Sequence, residues 1–197
     1  MRLYIVRHGE SENNLVHRHS GWSQTNLTEK GIGDARRAGR ILKDISFDKI
    51  YASDLPRTVQ TCQNALPGCA FEPLELIREI NVGSLSDRFT KDCLAEYGED
   101  YVLRKKDSDY TPWGGENGEM LRVRVGEFMK LLEESPYENV AAFSHGVFIK
   151  TLLSIVQEEP ILSRISVPGN GGVAVFEFRD GKWSVLHWNL TDEPENE

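Results

Sequence analysis

The chain reads as an α/β protein of three layers, α/β/α, with a mostly parallel central sheet and an antiparallel hairpin at its edge. Three observations predict this. Strand-like and helix-like stretches alternate along the chain, strand first. Leu3 to Val6 is a continuous apolar run, the pattern of a strand covered on both faces, and Asn139 to Ser144 reads as a second core strand. Near the end, Gly172 to Phe178 and Trp183 to Trp188 flank Asp180-Gly181, a strong hairpin signal.

Taken in order, the first strand ends in Arg7-His8-Gly9. Residues 10 to 27 are polar and loop-like, with a turn at Ser20-Gly21. Thr28 is placed to cap a helix running to about Ile45, with Ala35, Ala38, Ile41 and Leu42 on one face. Asp48 to Ser53 reads as the second strand. A helix with Pro56 in its first turn follows, reaching Ala65 before Pro67-Gly68 breaks it. Phe71 to Ile77 reads as a third short strand leading into Arg78-Glu79. Residues 83 to 115 are polar, with helix potential from Thr90 to Tyr97, and are expected to form a lid-like insertion over the site. Asn117 to Glu134 predicts a helix with Met120, Val123, Phe128, Leu131 and Leu132 as its apolar positions. Val147 to Val156 is an apolar helix. Residues 1–190 are expected to be one domain, and the acidic stretch 191–197 a disordered tail.

The totals narrow the class. The 197 residues are 39% hydrophobic and 27% charged, enough for a full globular core. A formal net charge of -8 disfavours nucleic acid and anionic lipid as partners, so an anion site here must be a local cationic pocket in an acidic body. The three cysteines, Cys62, Cys69 and Cys93, form no CxxC and are odd in number, which points to a reducing, cytoplasmic setting. Neither a signal-peptide core nor a membrane-length apolar run is expected.

Two tripeptides carry the chemistry. Arg7-His8-Gly9 and Ser144-His145-Gly146 each put a histidine and a glycine at the carboxyl end of a core strand, where open α/β sheets bind ligands. Two histidines then face one crevice, and Gly9 and Gly146 let backbone approach a ligand closely. The helix near Val147 is expected to aim free N–H groups and its positive end at the same place. Arg57, just beyond the second strand, joins Arg7 on the rim. Their planar forks suit phosphate oxygens, so the set reads as a phosphoryl clamp around His8.

Arg7-His8-Gly9-Glu10-Ser11 with Asn14, Leu27-Thr28 with Gly31, Ser53-Asp54 with Arg57 and Thr58, Glu79, and Ser144-His145-Gly146 together resemble the histidine phosphatase superfamily, in its phosphoglycerate mutase-like branch. The match runs in order over nearly the whole chain. RHG alone is a weak signal, whereas RHG with SDLxRTxxT, the glutamate and SHG is a specific one. The resemblance implies that His8 is the nucleophile and becomes phosphohistidine. It implies that Arg7, Arg57 and His145 form the phosphate pocket and that Asn14 donates to a phosphate oxygen. Glu79 would protonate the leaving oxygen and then act as base on water. His19-Ser20-Gly21-Trp22 is similar to the substrate loop of the mutases, which adds Ser20 and Gly21 to the substrate-binding set beside Gly146. Neither a metal nor a cofactor is implied, because the arginines carry the charge. The expected partner is one small phosphorylated substrate, with no nucleic acid and no membrane.

Chemistry adds constraints to these roles. The attacking nitrogen of His8 must be neutral, with the other ring nitrogen donating to a backbone carbonyl. His145 is expected to be protonated and to act as a donor. Glu75 and Glu72 are alternatives to Glu79. His17-x-His19 reads as a polar loop, or as a metal pair with no third ligand close in sequence. Arg104-Lys105-Lys106 reads as a solvated face, or as a grip on the remote end of a substrate. Glu116 is expected to cap the following helix, Trp113 to pack the insertion, and His187 to be structural.

The resemblance covers mutases and phosphatases. The stretch from Glu79 to Ser144 is short beside that of the glycolytic mutases. Val82 stands where those mutases carry a tyrosine, and Thr90 where they carry a lysine, with Lys91 adjacent. The Ser20-Gly21 loop points toward a mutase, and Gly83-Ser84-Leu85-Ser86-Asp87 departs from the common phosphatase pattern Gly-x-Trp-x-Gly. The expectation is a phosphatase on small phosphomonoesters such as a sugar phosphate, a phosphoglycerate or a nucleotide-derived ester. A phosphoglycerate mutase is the alternative, and a catalytically silent phosphate-binding scaffold is the rival from another class.

Overall fold

The computed structural model describes residues 1–159 and 164–192. One six-stranded sheet is built from β1 (Arg2–Arg7), β2 (Lys49–Ala52), β3 (Glu72–Pro73), β4 (Asn139–Ser144), β5 (Val173–Arg179) and β6 (Lys182–Leu190), in the order β3-β2-β4-β1-β5-β6. The first four of these in that order run parallel. β5 is antiparallel to β1, and β6 to β5, as the hairpin signal predicts. Asp180 and Gly181 both take positive φ, 51° and 74°, the geometry of a tight two-residue hairpin turn. The register that matters is Arg7 against Ser144: the turns after β1 and β4 leave the sheet side by side.

Helices cover both faces. On one face α2 (Glu29–Leu42) and α3 (Pro56–Ala65) pack Ala38, Leu42, Cys62 and Ala65 against Val6, Ala52 and Phe143. On the other, α5 (Gly118–Glu133) and α6 (Gly146–Val156) pack Phe128, Leu132, Phe148 and Leu152 against Leu3, Ile5 and Phe176. Successive residues of β1 point to opposite faces, so one apolar run supplies both clusters. Each fully buried Leu or Phe contributes about 1.5–3 kcal/mol. Among the described residues, no helix is long and apolar enough to cross a membrane.

Several expectations need correction. Inside the loop of residues 10–27 lies a one-turn helix, α1 (Glu12–Leu15), closed by a reciprocal cap between Ser11 and Asn14. Thr28 caps α2 by accepting from Gly31 N, but α2 ends at Leu42 and not near Ile45. The strand expected over Phe71–Ile77 shrinks to Glu72–Pro73, followed by a 3-10 turn over Glu75–Ile77. Leu74 N still donates to the Ala52 carbonyl at 2.8 Å, but β2 ends at Ala52 and offers nothing further to pair with. Helix α4 (Thr90–Asp107) is longer than the predicted 90–97, with a break at Gly98 (φ 59°, ψ -137°) that only glycine takes readily. In α5 the apolar face is rotated. Met120 and Val123 are exposed (52% and 56%), whereas Leu121, Val125, Phe128, Met129 and Leu132 are buried. That buried set follows i, i+4, i+7, i+8, i+11. Asn117, not Glu116, caps α5. Of the expected tail, residues 193–197 lie outside the described part of the chain.

Candidate active site

The carboxyl ends of β1 and β4 open into a cavity of about 460 Å³, lined by Arg7, His8, Asn14, Ser20, Gly21, Arg57 and Glu79 among others. His8 is buried, and its Nδ1 lies 2.7 Å from its neighbour Gly9's carbonyl oxygen. A carbonyl only accepts, so Nδ1 carries the proton and Nε2 keeps a lone pair. Burial, then the charges of Arg57 and Arg7, hold the imidazole's pKa well below its ordinary 6.5. Neutral His8 with one bare nitrogen is what a nucleophile requires.

His145 sits beside it, with ring centroids 5.3 Å apart. Its Nδ1 is 3.0 Å from Arg57 Nη2, and a guanidinium only donates. Nε2 therefore holds the proton and donates to Ser53 Oγ at 2.9 Å. The expectation of a protonated His145 is corrected: burial first, and Arg57 next, hold this ring neutral. The donor facing the pocket is Arg57. Its side chain is fully buried, gripping the carbonyls of Gly21 (2.7 Å) and Ser23 (3.2 Å). Burial lowers its pKa to about 10, which leaves it charged at neutral pH. Arg7 donates through Nη1 to the carbonyl of Pro168 at 2.5 Å.

Three buried side-chain atoms in the described residues lack any hydrogen-bond partner: Arg7 Nε, Arg57 Nε and Ser20 Oγ. All three residues line this one cavity. An orphaned buried polar atom costs about 1–3 kcal/mol, and three of them on residues lining one hollow suit a ligand with several acceptor oxygens. Gly146 does not itself line the cavity but packs behind Arg7. A Cβ there would lie 2.6 Å from Val167 Cγ1 and 3.4 Å from Arg7 Nε.

Glu79 lines the same cavity and settles one expectation differently. The N–H groups of Val147 and Phe148, at the start of α6, do not point free into the pocket. They donate to Glu79 Oε2 and Oε1, each at 3.2 Å, and Ile80 N donates to Oε1 at 3.0 Å. The group that meets that helix end is the chain's own glutamate side chain. Asn14 turns its Oδ1 to Ser11 N (3.1 Å) and Asn170 Nδ2 (3.4 Å).

The profile of the histidine phosphatase superfamily (branch 1) matches residues 3–191. The chain belongs to this superfamily. It is 34% identical over 168 residues to a 2,3-bisphosphoglycerate-dependent phosphoglycerate mutase of Azorhizobium caulinodans, covering 79% of this chain and 81% of that one. It is 32% identical over 191 residues to the adenosylcobalamin/alpha-ribazole phosphatase of Salmonella typhimurium, covering 94% and 90%. The solved alpha-ribazole phosphatase of Shigella flexneri superposes with a TM-score of 0.87 at 25% identity, covering all of both chains.

In this histidine phosphatase several residues that hold the turns around the cavity in place escaped the sequence reading. Ser53 fixes the tautomer of His145, and Thr61 accepts from Gly9 N at 3.1 Å. Both lie within the SDLxRTxxT segment, so that motif was the available signal. Asn170 donates to the His8 carbonyl at 3.0 Å, and nothing local in the sequence singles it out. His17 and His19 part company. His17 lies exposed at the cavity, while His19 is buried against Tyr101 OH at 2.6 Å, its pKa lowered to about 4 by burial. Among the described residues, no group of three or more His, Cys, Asp and Glu side chains is arranged to hold a metal. Of the basic run, Arg104 is paired with Asp100 and Asp109, and Lys105 lines the cavity. Glu72 and Glu75 are exposed and do not line it.

Proposed function

We propose that this histidine phosphatase hydrolyses small phosphomonoesters through a phosphohistidine on His8, without a metal ion. The observation that carries the reading is the trio of unpartnered donors, Arg7 Nε, Arg57 Nε and Ser20 Oγ, around an imidazole whose Nε2 is bare. His8 Nε2 attacks phosphorus in line and the ester P–O bond breaks. Arg7, Arg57, Ser20 and Asn14 hold the equatorial oxygens, where charge develops. Glu79 gives its proton to the departing oxygen. Water then attacks phosphorus, Glu79 takes a proton from it, the P–N bond breaks, and phosphate leaves.

Arg18 and Lys105 line the mouth of the cavity and lie over the rings of Phe89 and Tyr101, at 4.2 and 5.6 Å. They suit a second anionic group, carboxylate or phosphate, at the remote end of the substrate. Residues 83–115, which contribute Thr90, Lys105 and Tyr110 to the cavity, serve as the specificity wall of one catalytic domain spanning 1–190. Three free thiols, two of them buried, suit a reducing cytoplasm.

A mutase is the second reading, favoured by relatives such as the Azorhizobium enzyme. Phosphatase is preferred because Val82 and Thr90 line the cavity at the positions where the glycolytic mutases carry a tyrosine and a lysine. The phosphatase relative also aligns over more of the chain, 94% against 79%. The test is turnover of 4-nitrophenyl phosphate and a panel of phosphorylated metabolites in chelator. Hydrolysis at full rate is expected. Primer-dependent isomerisation of phosphoglycerate faster than any hydrolysis would favour the mutase, and no turnover at all would favour the scaffold. Loss in chelator, restored by zinc, would return His17 and His19 to consideration.

A further inference from the structure

A group that passes protons must be held to a fraction of an ångström. The segment carrying Glu79 has no sheet to hold it. β3 ends at Pro73, so the carbonyls from residue 76 onward have no ladder partner. Side chains replace the ladder. Ser144 Oγ donates to the Ile77 carbonyl at 2.8 Å, from the residue before His145. Trp22 Nε1 donates to the Glu79 carbonyl at 2.8 Å. Arg124, from α5, takes the rest: its Nη1 donates to the carbonyls of Leu76 (2.9 Å) and Arg78 (2.6 Å), and its Nη2 to that of Glu79 (3.1 Å). Every carbonyl from 76 to 79 is thus held by a side chain, three of the four by one guanidinium.

That guanidinium is itself fixed. Arg124 Nε and Nη2 donate to Glu116 Oε1 and Oε2 at 3.1 and 2.8 Å, a two-point pair in which the side chains are 14% and 13% exposed. Glu116 also clamps the far side of Glu79. Its Oε2 accepts from Asn81 N at 2.7 Å, and its own N–H donates to the Asn81 carbonyl at 2.8 Å. Arg124 Cζ lies 5.9 Å from the ring of Phe148, whose N–H orients the Glu79 carboxylate. One ion pair therefore touches both the backbone that carries the carboxylate and the helix end that aims it.

We propose that Arg124, locked by Glu116, is a positioning residue for the proton transfer made by Glu79. The inference rests on the reading of Glu79 as proton donor. A structural ion pair would affect stability and slow all substrates alike. A positioning residue acts through Glu79, so its loss is felt where the leaving oxygen needs a proton.

The experiment compares kcat/KM over aryl phosphates of one shape and graded leaving-group pKa, from 4-nitrophenyl to phenyl to 4-methoxyphenyl phosphate. The variants are Arg124→Lys, Glu116→Gln, Glu79→Gln and the Arg124→Lys/Glu79→Gln double. Arg124→Lys keeps the charge and loses the fork. It is expected to slow 4-methoxyphenyl phosphate about tenfold more than 4-nitrophenyl phosphate, with a smaller bias in the same direction for Glu116→Gln. In the Glu79→Gln background, adding Arg124→Lys is expected to leave the leaving-group dependence unchanged, because the group it positions is gone. Equal slowing across the series in Arg124→Lys, with Glu79→Gln still selective, overturns the positioning role alone. Equal slowing in Glu79→Gln overturns the acid assignment and this inference with it. If Arg124→Lys does not fold, Glu116→Gln, which keeps an acceptor for Asn81 N, carries the same comparison.

Discussion

The turns after β1 and β4 begin alike, histidine then glycine, at adjacent strand ends in register. They hold their imidazoles in opposite ways. His8 donates from Nδ1 to a carbonyl one residue away, which bares Nε2. His145 accepts at Nδ1 from Arg57 and donates from Nε2 to Ser53, which leaves neither nitrogen for attack. One ring is bound locally and kept reactive; the other is bound at long range and spends both nitrogens holding the pocket together. The same dipeptide at the same place in a fold acquires two chemistries from its neighbours.

Replacing each histidine tests the contrast most severely. His8→Ala is expected to lower hydrolysis about a thousandfold or more and to abolish the acid-labile phosphoprotein seen on brief labelling. His145→Ala should cost less, about a hundredfold, by freeing Arg57 from its orientation, and should leave a labelled protein. A labelled band that survives His8→Ala would move the nucleophile elsewhere, and an inverted order of the two losses would break the comparison.

The glycines sharpen it at smaller scale. A Cβ on Gly9 would lie 2.2 Å from the backbone oxygen of Gly31, whereas on Gly146 it would meet two side chains, Val167 and Arg7. Gly9→Ala is therefore expected to destabilise the fold by about 3 kcal/mol in urea unfolding. Gly146→Ala should fold normally and weaken inhibition by inorganic phosphate about tenfold, through displacement of Arg7. Equal stability losses in both would refute the distinction.

The last effect, absent at neutral pH, concerns what the two rings share. Both are held neutral by burial, as is His19, whose pKa is lowered to about 4. The unfolded chain takes up protons near 6.5 that the folded chain refuses, so stability is complete above that pH and falls as pH drops below it. Each such histidine contributes at most about 1.4 kcal/mol per pH unit. His19→Gln, which can still bond to Tyr101 OH, is expected to flatten part of the slope between pH 6.5 and 4. A stability that is level across that range would contradict the buried neutral histidines.

Much of the scaffold was legible because its signals are local. Thr28 as a cap, Asp180-Gly181 as a turn and the apolar run of β1 each depend on residues within a few positions. The α5 face was misread because Met120 and Val123 look like core residues, and only the packing against Phe148 and Ile77 selects Leu121 and Val125 instead. The third strand was overextended because its sequence is apolar enough, yet its partner β2 ends at Ala52, and the carbonyls of Leu76 and Arg78 are taken by Arg124 instead of a ladder. Of the motif residues, Arg7, His8, Asn14, Arg57 and Glu79 line one cavity and His145 lies buried beside His8, whereas Asn170, 162 positions from His8, carried no local mark.

By itself the sequence determined the α/β class, the strand ends that bear His8 and His145, and the family to which they belong. Those follow from periodicity, caps and ordered motifs, which are properties of neighbours along the chain. Only the tertiary structure decided which nitrogen of each imidazole carries the proton, that Glu79 occupies the amides of α6, and that Lys105 of the basic run reaches the cavity. Protonation and orientation are set by the nearest donor, acceptor or charge in space, and here most of those partners lie far away along the chain.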